Sequence, residues 1–113
     1  MSDTCLFCRI ARKEIPATVV AESEDLLAFR DIGPQAPVHV LVIPKAHIAS
    51  LNDVSDFAIV GRMAQMARDI ARQEGIGERG YRVVVNTRAD GGQTVDHLHL
   101  HLVGGRQMDW PPG

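Results

Sequence analysis

Three of the five histidines in this 113-residue chain fall at alternate positions in one short segment. His97, His99 and His101 are separated by leucines, in the run His-Leu-His-Leu-His-Leu. Alternate residues of a β-strand face the same side, so we expect the three imidazoles on one face, about 6 to 7 Å apart, and the leucines buried on the other. Imidazole titrates near neutrality, and it can attack an electrophile, accept a proton or bind a metal ion. The row therefore predicts nucleophilic, acid–base or metal chemistry.

A glycine-rich turn precedes the histidine row. Gly91 and Gly92 permit backbone angles that other residues avoid, and they let main-chain N–H groups approach a ligand closely. Successive N–H groups in such a turn form an anion-binding concavity, to which Gln93 and Thr94 would add side-chain donors. A phosphate group is the natural ligand. The alternative is a tight connection that binds nothing.

Two kinds of chemistry fit histidines at this spacing. In the first, two or three imidazoles bind a catalytic zinc ion and leave an open position for water. In the second, the central imidazole is a covalent nucleophile, and its neighbours position phosphate oxygens and protons. The turn favours the second, because it supplies anion donors where a metal hydrolase would need a further ligand. The residues therefore indicate a phosphorus electrophile.

Length and charge narrow the classes of function. A chain of 113 residues is long enough for one compact domain, which we expect to span 1–113, and too short for two ordinary ones. The formal net charge of −2 and the lack of a basic arm argue against a nucleic-acid or anionic-membrane binder. We find no export or transit signal and no apolar run approaching the roughly 20 residues of a membrane span, so we expect a soluble cytoplasmic protein.

Cys5 and Cys8 form a Cys-x-x-Cys pair and are the two cysteines of the chain. Two cysteines this close together do not make a secreted disulfide framework. Three interpretations stay open: two thiolate ligands of a zinc site, a redox-active pair, or two buried inert thiols.

Hydrophobic patterning predicts an α+β fold with two helices and five strands. Apolar residues recur every three or four positions from 56 to 74, which predicts a long amphipathic helix that Ser55 or Asp53 would cap and Gly75 would end. His39 interrupts the apolar run of the central strand, where a lone histidine is usually a core residue. We expect a short N-terminal helix over 5–12, and strands over 18–22, 26–30, 38–43, 81–86 and 98–103, of which the first two form a hairpin. This order makes a five-stranded, mainly antiparallel sheet.

Several blocks of the sequence resemble the histidine triad (HIT) family, in the order that the family has them. One block is Gly-Gly-Gln-Thr-Val-Asp-His-Leu-His-Leu-His-Leu over 91–102. The C-terminal block, Gly-Gly-Arg-Gln-Met-Asp-Trp-Pro-Pro-Gly over 104–113, resembles the Hint branch of nucleoside phosphoramidases. Further matches lie at 31–39, 42–48 and 81–86. The resemblance covers essentially the whole chain, and it implies the HIT-like α+β fold and a homodimer in which two sheets join.

The resemblance implies a hydrolase of the adenosine 5′-monophosphoramidase type. His99 would attack the α-phosphorus of a purine nucleoside 5′-phosphoramidate or acyl-nucleotide and an amine would leave. Water would then release the nucleoside monophosphate, such as AMP, from a nucleotidyl-histidine. His101 would donate to the phosphate oxygens. Thr94 stands where the Hint branch has serine, and its hydroxyl would assist the leaving group. This chemistry requires no cofactor.

The resemblance also assigns residues to nucleotide binding. Asp31 would accept from the ribose hydroxyls, Ile32 would contact the base and Asn86 would contact the phosphate or ribose. From the residues alone, Asp31 could be a plain loop aspartate and Asn86 a turn residue at the end of a strand. The expected nucleotide-binding set is Asp31, Ile32, Asn86, Gly92, Gln93, Thr94, His99 and His101.

Two further positions would support the site. The resemblance places His39 near the triad as a hydrogen-bond partner, and it sends the C-terminal tail with Trp110 toward the leaving-group pocket of the partner subunit. The alternative for Trp110 is a packing anchor for the chain end. Asp96 and Asp109 depart from the residues common in Hint relatives. Acidic groups near a phosphate site would weaken anion binding unless they face solvent or a cationic substrate group.

Family members with the same cysteine pair imply a structural zinc site. His47 and His97 would complete a tetrahedron with Cys5 and Cys8. In that case His97 is a metal ligand, and it acts in catalysis only indirectly, through its backbone.

Three other functions stay open. A dinucleoside polyphosphate hydrolase of the Fhit-like branch is disfavoured by the Hint-like C-terminus. A nucleotide-binding regulatory or scaffold protein would bind with little turnover, although intact His99, His101 and Thr94 argue against lost chemistry. A zinc hydrolase would use the histidine row itself and lose all activity on chelation.

Overall fold

A computed structural model describes residues 4–113. The expected absence of an export signal rests partly on residues 1–3, which lie outside the described residues. In chain order the elements are helix α1 (Leu6–Ala11), strands β1 (Val19–Glu22), β2 (Leu26–Arg30) and β3 (Val38–Pro44), a 3₁₀ turn (Leu51–Asp53), helix α2 (Ala58–Gln73), strand β4 (Tyr81–Val84), short helix α3 (Arg88–Gly91) and strand β5 (Leu100–Gly104).

The five strands form one antiparallel sheet in the order β1-β2-β3-β5-β4. β3 lies at the centre and is buried along its whole length, as its near-continuous apolar run predicts. β5 lies between β3 and β4, so Leu41 of β3 and Val84 of β4 flank His101. The expected α+β class with a mainly antiparallel sheet is confirmed.

The sheet is covered on both faces, and alternate residues of β2 and β3 serve the two sides. On one side, α2 packs against the sheet through Met63, Ala67 and Ile70; on the other, α1 packs through Phe7 and Ile10. The buried strand residues on the α2 side are Leu26, Ala28, Val38, Val40, Val42, Leu100 and Leu102, and those on the α1 side are Leu27, Phe29, Leu41 and Ile43. By the two-residue period of a strand, His39 shares the α1 side with Leu41.

Helix α2 ends as its sequence predicts but begins differently. Gly75 follows the helix with φ +76°, the left-handed conformation of a glycine stop. The expected caps, Ser55 and Asp53, are wrong. Asp53 belongs to the 3₁₀ turn, and the Asp56 carboxylate instead accepts from the N–H of Ala58 at 3.0 Å. The helix begins at Ala58, two residues later than expected.

The last strand begins at Leu100, two residues later than expected, so His97 and His99 precede it. The reason is that the backbone turns to other partners here. The N–H of Leu98 donates to the Ile48 carbonyl at 2.6 Å, and the His97 carbonyl accepts from a side chain. Leucines 98, 100 and 102 are nevertheless all buried in the core on the α2 side, so the predicted alternation is confirmed.

Two smaller boundaries also differ from the prediction. β4 ends at Val84, before Asn86, and the glycine-rich turn begins as the short helix α3 (Arg88–Gly91). Among residues 4–113, no helix is both long and apolar enough to cross a membrane.

Gly61, within α2, and Gly75, just after it, provide a paired test of where the helix ends. Both have open space where a Cβ would lie, but Gly75 has a left-handed φ and Gly61 is inside the helix. Gly61→Ala should raise the free energy of unfolding by about 0.5–1 kcal/mol, because alanine favours the helix. Gly75→Ala should lower it by about 1 kcal/mol, because an L side chain strains that conformation. Urea denaturation measures both, and changes of the same sign would contradict this account of the helix end.

Candidate active site

A cavity of about 280 Å³ lies on the α1 side of the sheet. Its polar lining includes Asp31, Thr94, His99 and His101. The remaining lining is mostly apolar and comes from α1, the loop after it, β2, β3 and the segment before the histidine row: Leu6, Phe7, Ile10, Ile15, Pro16, Ala17, Phe29, Arg30, Ile32, Leu41 and Val95. Such a cavity suits a ligand that has a flat apolar part and a polar part.

His99 has the orientation that a nucleophile needs. Its Nδ1 lies 2.6 Å from the carbonyl oxygen of His97. A carbonyl can only accept, so Nδ1 carries a proton, and in the neutral ring Nε2 keeps a free lone pair. The side chain is only 4% exposed, yet it lines the cavity and meets the ring of Phe7 edge to face. The ring is therefore fixed on one side and open to the cavity.

His101 is oriented by a chain of donors that starts at the backbone. The N–H of Gln35 donates to His39 Nδ1 at 3.0 Å, so the proton of the neutral His39 ring is on Nε2. His39 Nε2 donates in turn to His101 Nδ1 at 3.0 Å. The remaining nitrogen of His101, Nε2, therefore carries a proton. His101 Nε2 can therefore donate a hydrogen bond, whereas the Nε2 lone pair of His99 can act as a nucleophile.

The electrostatics of the site keep His39 and His101 neutral. Burial, followed by the neighbouring His99 and His39 rings, lowers the pKa of His101 to about 4, against a weaker opposing effect of Asp31. Burial also lowers the pKa of His39, again opposed by Asp31. The 3.5 Å contact between Asp31 Oδ2 and His39 Nε2 is therefore a contact with a neutral ring at pH 7. Hydrogen bonds decide which nitrogen holds each proton.

The histidine row is more compact and less regular than a strand would make it. The rings of His99 and His101 have centroids 5.0 Å apart, closer than the spacing expected along a strand, and His99 lies before β5. His97 turns away from the cavity lining toward α1 and the loop after β3. Only two of the three imidazoles line the cavity.

The third imidazole joins the two cysteines and His47 in a cluster whose donor atoms lie within 4.8 Å of one another. His97 Nε2 donates to the Pro44 carbonyl at 2.7 Å, which leaves the Nδ1 lone pair for a ligand. That Nδ1 lies 3.3 Å from Cys5 Sγ and 3.4 Å from Cys8 Sγ, and His47 Nδ1 lies 3.1 Å from Cys8 Sγ. Two sulfurs and two imidazole nitrogens are a donor set typical of structural zinc sites. The residues present fit the metal.

Asp31, His39 and His101 form a second group with donor atoms equally close together. Here the hydrogen bonds argue against a metal. A metal on His39 Nε2 would require the ring proton on Nδ1, where the N–H of Gln35 already points. This group is a hydrogen-bonded relay, so the geometry does not favour a zinc hydrolase built on the histidine row.

Of the other expected binding residues, Asp31 and Ile32 line the cavity, whereas Asn86 and Gly92 do not. Ile32 lines it and is fully exposed, at 102% of its reference area. Asp31 lines it too, and its Oδ1 is fixed by the N–H of Gly33 at 2.7 Å. Asn86 follows β4 and Gly92 follows α3 with φ +79°, and neither is part of the cavity lining.

Gln93 braces the turn with its side chain. Its Nε2 donates to the carbonyls of Ala49 at 2.7 Å and Val95 at 3.0 Å, and its Oε1 accepts from the N–H of Arg88 at 2.8 Å. Both amide hydrogens are therefore used inside the protein. The side chain that we expected to donate to an anion holds the loop before Thr94 instead.

The C-terminal tail lies beside β4. Arg82 Nη2 donates to the Asp109 carbonyl at 2.8 Å, and Trp110 is 82% exposed. A tryptophan this exposed does not anchor the chain end within one subunit. Asp96 and Asp109 are both exposed to solvent, which is the arrangement that spares a phosphate site from their charge.

Sequence reasoning missed two kinds of site residue. Leu6, Phe7 and Ile10 form much of the apolar wall, and their place beside the Cys-x-x-Cys pair on a short helix was the signal that could have found them. The Pro44 carbonyl and the Gln35 N–H fix the ring protons of His97 and His39. Because these are backbone groups, no side-chain pattern identifies them.

The sheet and the histidine row together define a known class of protein. The family model described as HIT domain matches residues 12–108, and the chain belongs to this family. The crystal structure of a HIT family hydrolase from Legionella pneumophila Philadelphia 1 is similar to this chain with a TM-score of 0.94 and 57% identity, covering 97% of this chain and 100% of that one. The expected HIT-like fold is confirmed.

Plant proteins are also similar over most of their length. A 14 kDa zinc-binding protein of Zea mays is 51% identical over 112 residues, covering 96% of this chain and 87% of that protein. Adenylylsulfatase HINT1 of Arabidopsis thaliana is 49% identical over 112 residues, covering 96% of this chain and 76% of that protein.

Acid should destabilise the protein partly through His101. Its pKa rises from about 4 in the native state to 6.5 in the unfolded chain, so the unfolded state binds more protons between these values. The free energy of unfolding therefore falls as the pH falls through this window. In His101→Gln this contribution is absent, so the loss of stability between pH 7 and about pH 4.5 should be smaller than in the wild type. Urea denaturation at both pH values measures it, and an equal or larger loss in the variant would contradict the assignment.

Proposed function

We propose that this protein is a hydrolase that cleaves purine nucleoside 5′-phosphoramidates through a nucleotidyl-histidine formed at His99. The observation that carries the proposal is the 2.6 Å hydrogen bond from His99 Nδ1 to the His97 carbonyl, which leaves Nε2 free in the cavity lining. Membership of the HIT family and similarity to a HIT family hydrolase support a hydrolytic reaction.

In the first step, the Nε2 lone pair of His99 forms a bond to the α-phosphorus and the P–N bond breaks. The leaving nitrogen takes the bonding electron pair and a proton that comes from solvent. The Thr94 hydroxyl, which lines the cavity, relays this proton. His101 Nε2–H donates to a phosphate oxygen and stabilises the charge that develops there. Because each ring already holds its proton on the required nitrogen, no tautomer change precedes the attack.

In the second step, water attacks the phosphorus and the bond to His99 Nε2 breaks. The nucleoside monophosphate leaves, the proton of the water passes to solvent, and His99 returns to its starting state. His101 donates to the same phosphate oxygens in both steps, so its removal slows formation and breakdown of the intermediate.

The cavity accounts for the nucleoside part of the substrate. Its apolar walls cover the faces of a base, and Ile32 is exposed to contact it. The Asp31 carboxylate, fixed by Gly33, accepts from the ribose hydroxyls. Base selectivity is modest, because the walls offer few groups that read base edges. The motif match alone assigns Asn86 and the backbone of Gly92 to the phosphate and ribose.

The protein acts as a homodimer in this proposal. β4 is an edge strand with Val83 exposed, and an unpaired strand edge can pair with a second copy. Trp110 is exposed on the tail beside β4, from where it would reach the leaving-group pocket of the partner.

Adenylyl sulfate is a second candidate substrate. The relative from Arabidopsis thaliana is named an adenylylsulfatase, and sulfate would then leave the α-phosphorus in place of an amine. Both reactions pass through the same nucleotidyl-histidine. Rates on an adenosine phosphoramidate and on adenylyl sulfate, measured side by side, decide which leaving group the site prefers.

Substitution of the proposed nucleophile tests the reaction. His99→Asn should lower turnover of an adenosine phosphoramidate by at least about 10³-fold, because no covalent intermediate can form. AMP binding should stay close to that of the wild type, since the base and ribose contacts remain. Intact mass spectrometry of a quenched wild-type reaction should show an adenylyl adduct that maps to residue 99.

His101→Gln is the matched control for this experiment. It retains the nucleophile, so it should still form the adduct at residue 99 while both steps slow. Near-normal turnover by His99→Asn, or an adduct on any other residue, would exclude the proposed intermediate.

We also propose that the cluster of Cys5, Cys8, His47 and His97 binds a structural zinc ion. The donor atoms converge, and the His97 lone pair already faces both sulfurs. When bound, the ion would cross-link α1 to the loop after β3 and to the segment before β5. Similarity to a protein named for zinc binding supports this choice of metal.

Metal analysis tests the zinc proposal. Protein purified without chelators should contain about one equivalent of zinc per chain, and Cys8→Ser should contain almost none. His39→Asn is the matched control, because His39 belongs to the hydrogen-bonded relay and should leave the zinc content unchanged. Loss of zinc in His39→Asn, or its retention in Cys8→Ser, would show that the assigned ligands are wrong.

A further inference from the structure

Helix α1 contributes to two sites at once. Cys5, at its N-cap, and Cys8, in its first turn, supply both sulfurs of the metal-ligand cluster. On the same helix, Leu6, Phe7 and Ile10 line the cavity that would hold the nucleoside. A shift of this helix would therefore change both sites together.

The two sites also share contacts through the histidines. The ring of Phe7 meets His97 edge to face with centroids 6.0 Å apart, and it meets His99 with centroids 5.1 Å apart. Phe7 thus touches one metal-ligand candidate and the proposed nucleophile. The cavity wall and the metal cluster are one continuous packed unit.

The stability of α1 depends on its tertiary contacts. It has only six residues, and helices this short are unstable in water unless tertiary contacts hold them. Its side chains Phe7 and Ile10 pack into the core on that side, and Cys5 Sγ and Cys8 Sγ contact His97 and His47. Without a metal ion, the sulfur contacts are weak hydrogen bonds.

His97, by contrast, has a second anchor. Its ring is fully buried and its Nε2 donates to the Pro44 carbonyl, so its own carbonyl stays in place to hold His99. Loss of a metal would thus remove the sulfur anchors of α1 and leave His99 oriented.

We propose that metal binding at Cys5, Cys8, His47 and His97 positions α1 as a wall of the nucleoside cavity, and thereby sets the affinity for the nucleoside part of the substrate. This inference rests on the proposed function, because it takes the cavity to be the nucleoside site. Metal loss should weaken binding of AMP and raise KM, with a much smaller effect on the rate of the chemical step.

His47→Gln tests the proposal with little disturbance of the core, because His47 is an exposed ligand outside the cavity lining. Wild-type protein loaded with zinc, the same protein after chelation, and the variant are compared for AMP affinity by calorimetry. If α1 keeps its position against the cavity in only about a tenth of the metal-free molecules, AMP should bind to that form about tenfold more weakly. Hydrogen exchange should quicken in Leu6–Ala11 while β5 stays protected. Arg9→Ala, an exposed change on the same helix, should behave as the wild type.

A double-mutant cycle separates positioning of the wall from a general loss of stability. Phe7→Leu should weaken AMP binding clearly in zinc-loaded protein but little in metal-free protein, because the wall is already displaced there. Equal losses in both forms would overturn the proposal, as would unchanged AMP affinity after zinc removal. Loss of protection across the whole sheet would overturn it too, since the effect would then be global unfolding.

The same measurements distinguish this proposal from the proposed function. If zinc-loaded wild type binds no AMP, the nucleoside site is wrong. Exchange in α1 with and without zinc then still decides whether the metal holds the helix, and unchanged exchange would overturn that claim as well.

Discussion

The site depends on where three buried or half-buried imidazoles keep their single protons. Each proton position is set by a backbone group: the Pro44 carbonyl for His97, the His97 carbonyl for His99, and the Gln35 N–H, acting through His39, for His101. A neutral imidazole has one donor and one acceptor, so fixing one nitrogen determines the other. As a result, the His97 lone pair faces the sulfurs, the His99 lone pair faces the cavity, and the His101 N–H faces the cavity.

This arrangement requires rings that remain neutral, and the fold supplies that condition. β3 and β5 carry His39 and His101 in the middle of a sheet that helices cover on both faces. Burial lowers the pKa of both rings, so the charged forms that would disrupt the relay are disfavoured near neutral pH. The apolar core and the polar site are thus two results of the same packing.

Much of this was predictable from the sequence, for identifiable reasons. The apolar run of β3, the periodic helix α2 and the alternating leucines before and in β5 each follow from burial on a known period. The start of β5 was not predictable, because it depends on the Leu98 N–H finding the Ile48 carbonyl far away in the chain. The side-chain contacts of Gln93 were not predictable for a similar reason, since its amide bonds to the distant Ala49 carbonyl.

The His99 ring is oriented by donating to the main-chain carbonyl of residue 97, and every amino acid has such a carbonyl. The imidazole of His97 has a separate role, because it contacts the two thiols and donates to the Pro44 carbonyl. A substitution at 97 can therefore change these side-chain contacts without changing the carbonyl that orients His99. A descendant that abandoned the thiols could exchange this imidazole for any side chain of similar volume with a donor for Pro44, and its nucleophile would still face the same way.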